Sequence, residues 1–287
     1  MDIDIKNVVL ETSLRYPLLK RGKVRDVYDL GDKLLIVSTD RISAFDVVLP
    51  NGVPHKGVAL NLLSVYWFKE TEKTIPNHLL DVVDSRTVLV KKASPIKVEF
   101  VVRGYLYGSA WESYKDGKPV CGISLPEGLR RAEKLPQPII TPTTKAEVGH
   151  DVEVTRRDVV KMIGRDLTAE IEEASLKIYD VASRKAESKG IIIADTKFEF
   201  GLHEGEMLII DELATPDSSR FWPMDRYKVG KDQVSFDKQY VRDYLISVGW
   251  NRKPPAPGLP DHVILETSKK YIEAYEELTG RKFGDLT

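Results

Sequence analysis

Cysteine occurs once in these 287 residues, at Cys121, so neither an intramolecular disulfide nor a cysteine metal cluster can be built. No apolar stretch approaches the ~20 residues of a membrane-spanning helix. The N-terminus, Met1-Asp-Ile-Asp-Ile-Lys6, lacks a basic region followed by an apolar run. Charge of one sign is missing too: 43 basic against 44 acidic residues leave no global field for nucleic acid or an anionic membrane. Any anion recognition must be local. The histidines at 55, 78, 150, 203 and 262 show no metal-ligand spacing, and no serine or cysteine stands in a nucleophile motif. Covalent enzyme catalysis is therefore not expected. Internal repeats, a Walker loop and a dinucleotide fingerprint are absent as well. A cytoplasmic protein with no nucleic-acid or membrane partner is the expectation. What is present is core material: 42% apolar residues over this length suffice for one large or two modest domains.

Residues 24–39 read as two strands around Leu30-Gly31-Asp32-Lys33, because glycine beside aspartate between apolar runs signals a hairpin. Leu60, Leu63, Val65, Trp67 and Phe68 predict a mostly buried helix over 56–71. A strand follows at 88–92. Ala93-Ser94-Pro95 then breaks the sheet pattern before it resumes over 96–107, and a domain boundary is placed there. Five prolines between 117 and 142 predict a long, constrained surface segment. The clearest helix spans 166–190, with Leu167, Ile171, Ala174, Ile178 and Val181 on one stripe. Residues 191–194 form a strand buried on both faces, and 207–210 return from a turn at His203-Glu204-Gly205. Helices over 236–248 and 261–279 close the chain.

Asp195, Lys197 and Glu199 alternate with Thr196, Phe198 and Phe200, so period two places three charges on one face. Such a row is either a solvated strand edge or the wall of a cleft; the buried strand before it favours the cleft. The return strand ends in Asp211-Glu212, and Glu199 with Asp211 suits a magnesium ion bridged to nucleotide phosphates. A two-residue turn at Glu204-Gly205 sets Glu199 opposite Ile210, so an irregularity in this hairpin is predicted to bring Asp211 to it.

Gly22, Lys23 and Arg25 could lie over phosphates or be an ordinary solvated strand start, and Lys91 and Lys92 leave the same choice open. Arg103 interrupts an apolar strand just before Ser109 and needs a partner, either an anionic substrate or a buried ion pair. Thr215-Pro216-Asp217-Ser218-Ser219-Arg220 is a donor-rich turn that could grip a phosphate. Thr141-Pro142-Thr143-Thr144-Lys145, followed by His150-Asp151, is the third polar cluster, with Lys145 a candidate partner for a carboxylate.

Several ordered motifs carry a resemblance. Ile193-Ala-Asp-Thr-Lys-Phe-Glu-Phe-Gly201 and Pro95-Ile-Lys-Val-Glu-Phe-Val-Val-Arg-Gly-Tyr-Leu-Tyr-Gly-Ser109 are the most specific. They are joined by Asp211-Glu212, Pro216-Asp-Ser-Ser-Arg220, Gly22-Lys-Val-Arg-Asp-Val-Tyr28, Asp40-Arg-Ile-Ser-Ala-Phe-Asp46 and Thr141-Pro-Thr-Thr-Lys145. Over nearly its whole length the chain resembles the SAICAR synthetases of purine biosynthesis.

The resemblance implies an α+β, ATP-grasp-like fold of two domains. Residues 1–92 would be a small antiparallel nucleotide-covering domain, and residues 93–287 a larger α/β substrate and metal domain with C-terminal helices. It implies a ligase joining L-aspartate to the carboxylate of carboxyaminoimidazole ribotide (CAIR), with ATP as co-substrate and Mg2+ as cofactor, through an acyl phosphate. Gly22, Lys23 and Arg25 would cover the ATP phosphates, Lys91 would sit at the nucleotide, and Glu199 and Asp211 would hold the metal at the nucleotide site. Arg103, Ser109, Ser219 and Arg220 match ribotide positions, Lys145 a substrate-side lysine, and Asp195 and Lys197 residues at the reacting carboxylate. Ser43, Asp46, His150 and Asp151 match motif positions without a defined role. The longer family form is compatible with a monomer or a homodimer. The same residues would serve a phosphotransferase acting on a hydroxyl, or a nucleotide-binding regulatory module, against which intact Lys197, Glu199 and Asp211 argue.

Overall fold

The computed structural model describes residues 3–145, 152–236 and 238–285. The expected first hairpin belongs to a larger antiparallel sheet. β1 (Leu18–Arg21), β2 (Arg25–Asp29) and β3 (Lys33–Ser38) pair in turn, and Gly31 takes the left-handed φ of 94° that the β2 to β3 turn requires. β4 (Arg41–Ala44) and β5 (Val47–Gly52) make a separate hairpin before α1 (Lys56–Thr71). β6 (Leu79–Asp84) and β7 (Thr87–Lys91) then complete the first sheet in the order β1-β2-β3-β7-β6. α1 matches its expected bounds and is buried nearly all round, because it contacts β3 and β6 on one side and helices from the other half of the chain on the other.

The second sheet begins at Ser94. Its elements in chain order are β8 (Ser94–Tyr105), α2 (Ser109–Lys115), β9 (Lys134–Thr144), α3 (Arg156–Ile163), α4 (Arg165–Glu187), β10 (Ile191–His203), β11 (Glu206–Ile210) and β12 (Ser219–Pro223). α5 (Gln239–Ser247) and α6 (Asp261–Thr279) follow. The sheet order is β11-β10-β8-β9, with β12 also paired to β10.

Three expectations are corrected here. Pro95 does not break the sheet: it is the second residue of β8, opposite Gly201 and beside a register slip, where a missing donor is tolerated. The proline-rich stretch is not all loop, since Pro136, Pro138 and Pro142 lie in β9, which stands at the end of the sheet order. The polar turn at 215–220 runs directly into β12, a strand its composition hid.

β10 decides where the site lies. Phe198 and Phe200 pack with Phe100 of β8 and with Ile171 and Ile178 of α4, in the same cluster as Ile191 and Ile193. Fully buried side chains of this kind contribute roughly 1.5–3 kcal/mol each. Strict alternation would put Asp195 under α4 with Ile191 and Ile193. The pairing of β10 with β12 slips between Ile193 and Asp195, and that bulge exchanges the two faces. The even-numbered phenylalanines therefore continue the helix-covered core, and Asp195, Lys197 and Glu199 emerge on the opposite face.

Candidate active site

β10 has β8 along one edge, while its other edge is shared end to end by β12, pairing residues 191–196, and β11, pairing residues 199–203. Between these two partners the chain leaves the sheet as the loop 211–218. The Lys197 N–H donates to the Ser218 carbonyl at 2.9 Å, closing the gap. A break in one partner edge thus falls beside the charged row and brings in a loop carrying Asp211, Glu212 and Asp217.

The irregularity expected in the β10 to β11 hairpin is absent. Its ladder runs regularly from Glu199 opposite Ile210 to His203 opposite Glu206. Glu204 and Gly205, at φ 53° and 85°, form the two-residue turn whose twist suits a hairpin. Asp211 reaches the site differently: its own φ of 69° turns the chain off the end of β11. The register slips lie instead opposite β12, and opposite β8 between Glu199 and Gly201. Gly201 leaves little room there: a Cβ would come 3.0 Å from the Ala93 Cβ and 3.1 Å from the Ser94 carbonyl, so a larger residue would have to push these neighbours aside.

Two arginines flank Asp195. Arg103 stands opposite it on β8 and Arg220 opposite it on β12. Arg103 reaches its carboxylate at 3.4 Å, Thr141 Oγ1 at 2.8 Å and Ser109 Oγ at 3.2 Å. Arg220 donates to the same Asp195 oxygen. The buried ion pair considered for Arg103 is therefore present, with Asp195 as its partner. Burial pulls the Arg103 guanidinium below its ordinary pKa, and Asp195 opposes that. The Arg220 side chain is 22% exposed against 7% for Arg103, so Arg220 is the more accessible of the two. Gly108 lets it sit there: a Cβ at that position would lie 2.7 Å from an Arg220 nitrogen. Ser219 donates its hydroxyl to Thr196 at 2.8 Å.

The second group surrounds Glu199. Lys145 pairs with it, and Lys197 lies 2.7 Å from Glu99 and 3.7 Å from Glu199. Arg25 crosses from the first sheet to the loop, meeting Asp211 at 2.6 Å and Glu212 at 3.2 Å. Burial and then the charge of Asp211 push Glu199 up to about 7. Burial would raise Asp211 as well, but Arg25 and Lys145 outweigh it and hold that carboxyl below its usual range. Lys197 and Arg25 are likewise opposed by burial, yet both are raised, Lys197 by Glu199 and Glu99 and Arg25 by Asp211 and Glu212. Two neighbouring carboxylates are thus kept apart in affinity for a proton by the cations each faces.

The glycine-basic loop joins this site through Arg25. Lys23 pairs with Asp46, linking two sequence motifs, but the Gly22 N–H donates within its own turn to the Arg25 carbonyl at 2.7 Å. Lys91 is not in the cluster. It faces Lys33 at one end of β3, whereas Arg25 faces Ser38 at the other, roughly 17 Å away at the rise of a strand. Lys91 lines a separate cleft with Phe68, Asn77 and Leu80. Ser43 is buried in β4 opposite Val48. His150 and Asp151 lie outside the described residues.

Glu99 and Glu212 join this cluster, although the sequence motifs that contain them gave neither a role. Glu99 had a signal: Lys97, Glu99 and Arg103 share one parity in β8, as Asp195, Lys197 and Glu199 do in β10. Among the described residues no three His, Cys, Asp or Glu side chains gather as a metal cage.

Paired carboxylates among cations, on the face of an antiparallel sheet turned away from α4 and tied to a glycine-basic loop, suit an enzyme that handles phosphorylated, anionic substrates. A family model described as SAICAR synthetase matches residues 18–257. The phosphoribosylaminoimidazole-succinocarboxamide synthase of Thermodesulfovibrio yellowstonii is 49% identical, covering 96% of this chain and all of the relative. That of Desulfosudis oleivorans is 53% identical, covering 92% of this chain and 95% of the relative. A solved SAICAR synthase from Saccharomyces cerevisiae, complexed with SAICAR, superposes with a TM-score of 0.88 at 40% identity, over 96% of this chain and 99% of that one. A SAICAR synthetase in complex with ADP gives 0.70 at 27% identity, over 92% and 98%. The chain belongs to the SAICAR synthetase family. Membership makes it an ATP-using ligase of purine biosynthesis with that family's α+β fold.

Proposed function

We propose that this chain transfers the ATP γ-phosphoryl group to the carboxylate of CAIR. The amine of L-aspartate then attacks the acyl phosphate, releasing phosphate and leaving the amide of SAICAR. The observation that carries this reading is the charged face of β10, with its carboxylate pair at one end and its two arginines at the other. SAICAR and ADP, the ligands of two solved relatives, are taken to occupy those two ends.

Arg220, with Ser109, Ser219 and Arg103, holds the ribotide, and Arg103 chiefly fixes Asp195. Asp195 and Lys197 flank the reacting carboxylate, Lys197 neutralising charge that builds on it, and Lys145 serves the same face. Lys23 and Arg25 meet the ATP phosphates, with the backbone around Gly22, and Lys91 lies further along the nucleotide. Residues 1–92 cover the nucleotide, and residues 93–287 carry the ribotide and the metal.

The donor set fits Mg2+: Glu199 and Asp211 are oxygen ligands, and the burial and then the mutual repulsion that raise Glu199 are what a cation would offset. Bound there with nucleotide phosphates, Mg2+ would neutralise charge on the phosphoryl group. No step requires an enzyme nucleophile; positioning and charge stabilisation supply the rate. We place the protein in the cytoplasm, in keeping with its single cysteine.

Product analysis tests the reading. Incubation with ATP, CAIR and L-aspartate should give SAICAR, ADP and phosphate in equal amounts. ADP formation without an amide on aspartate would mean a phosphotransferase instead. Arg220→Ala should raise the KM for CAIR by about tenfold with a smaller change in kcat, the scale of one lost charged hydrogen bond. An unchanged KM for CAIR would remove Arg220 from the ribotide site.

A further inference from the structure

Arg41 is a buried cation that touches none of the site residues on β10, yet its donors converge on the glycine-basic loop. It is 8% exposed. Its Nη2 donates to the Gly22 carbonyl at 3.0 Å and to Asp26 Oδ1 at 2.7 Å, and its Nε donates to the Lys23 carbonyl at 3.3 Å. Its Nη1 donates to the Leu10 carbonyl. Asp26 is itself fixed, accepting from the Thr12 N–H at 3.0 Å and the Thr12 hydroxyl at 2.8 Å. One guanidinium therefore ties the segment before β1, the loop 22–24 and strand β2 together.

The consequence follows from peptide geometry. In a planar trans peptide the carbonyl and the following N–H point in opposite directions. The Gly22 carbonyl shares its peptide plane with the Lys23 N–H, and the Lys23 carbonyl shares its plane with the Val24 N–H. Drawing both carbonyls inward onto Arg41 turns both N–H groups outward. The Gly22 N–H is already held by Arg25, so Lys23 and Val24 are the amides of this turn left to meet an anion. Successive outward amides of this kind form an anion-binding concavity. The next carbonyl, of Val24, is held as well, by the Thr39 N–H at 3.0 Å and the Thr39 hydroxyl at 2.8 Å.

We propose that Arg41, anchored by Asp26, is a positioning residue for the nucleotide: it orients the Lys23 and Val24 amides toward the phosphates without touching them. This rests on the proposed placement of ATP phosphates at residues 22–25. Arg41→Lys keeps a cation beside Asp26 but cannot hold two carbonyls and a carboxylate in one plane.

The test is steady-state kinetics of Arg41→Lys with ATP and CAIR varied separately, with ADP affinity measured by calorimetry. The KM for ATP and the Kd for ADP should rise about tenfold, with the KM for CAIR within twofold of wild type. With ADP bound, amide exchange at Lys23 and Val24 should be faster in the variant than in the wild type. An unchanged KM for ATP, or equal rises for ATP and CAIR, would overturn the inference. Lys23→Ala run alongside separates the two readings. If it raises the KM for ATP while Arg41→Lys does not, only the role of Arg41 falls; if neither does, the phosphate placement falls with it. Should Arg41→Lys not fold, Asp26→Asn replaces it: the guanidinium remains without its anchor, and a rise of at least threefold in the KM for ATP alone is required.

Discussion

Glu199→Gln and Asp211→Asn are each expected to lower turnover by at least ~100-fold while leaving the protein folded, the scale seen when a group that stabilises developing charge is removed. The geometry says why folding should survive. Asp211→Asn leaves Arg25 with Glu212 at 3.2 Å, so no buried cation is stranded. Glu199→Gln leaves Lys197 with Glu99 at 2.7 Å, and Lys145 is 36% exposed.

The sign of the pH effect goes further. Burial and Asp211 raise Glu199 from 4.5 to about 7, so the folded state holds that proton more tightly than the unfolded chain. This group's contribution is fully present below about 4.5 and is lost as pH rises to about 7. At pH 8 the ligand-free wild type therefore carries an unfavourable charge that Gln removes. Glu199→Gln should melt no lower than wild type at pH 8, despite its loss of turnover. Near-normal turnover in both variants would sink the assignment of these carboxylates to the metal. A collapse of the melting temperature would show that Glu199 is structural.

Much of this arrangement could be read from local pattern. α1 and α6 are where their periodicity puts them, and the charges of β10 share a face as period two requires. What local pattern could not show was which face. The four apolar residues 191–194 carry no mark of the bulge that exchanges faces before Asp195, because a bulge is set by the partner strand β12, which looked like a polar turn. The same limit explains the hairpin. The ladder opposing Glu199 to Ile210 was counted correctly, but the freedom assigned to the hairpin lies one residue beyond it, in the left-handed backbone of Asp211. Prolines misled for the reverse reason: they are rare inside sheets but tolerated at a strand start and on an outer strand, and strand order is a tertiary property. Charge partners from distant segments were the least legible. Arg25 meets Asp211 and Glu212 across 186 and 187 positions of sequence, and nothing at either end announces the other.

Another long-range partnership, of Asp217 with Lys56, gives the largest expected loss of stability. Asp217→Ala should destabilise the protein by roughly 3–5 kcal/mol at pH 7, the range found when one member of a buried ion pair is removed and its partner stays charged. Here two partners are left. Lys56, at the start of α1, lies 2.8 Å from Asp217, and Lys238, just before α5, lies 2.9 Å away. Tyr271 of α6 donates to the other Asp217 oxygen at 2.6 Å. Burial holds Lys238 down to about 8, against the pull of Asp217; without that pull it falls further. A lysine lowered from 10.5 weakens the folded state fully below its folded value, and the effect fades as pH rises toward 10.5. The deficit of Asp217→Ala should therefore be larger at pH 7 than at pH 9, which urea unfolding at both values would measure. A loss under 1 kcal/mol at pH 7 would mean that both lysines find other partners. The position of Asp217 gives the result a functional side. It precedes Ser219 and Arg220 by two and three residues, and its N–H donates to Thr215 Oγ1, which in turn donates to Glu212, the partner of Arg25. The arm proposed to hold the ribotide is thus fixed to α1, the start of α5 and α6 through one carboxylate, and a loosened arm should bind CAIR more weakly even where the variant remains folded.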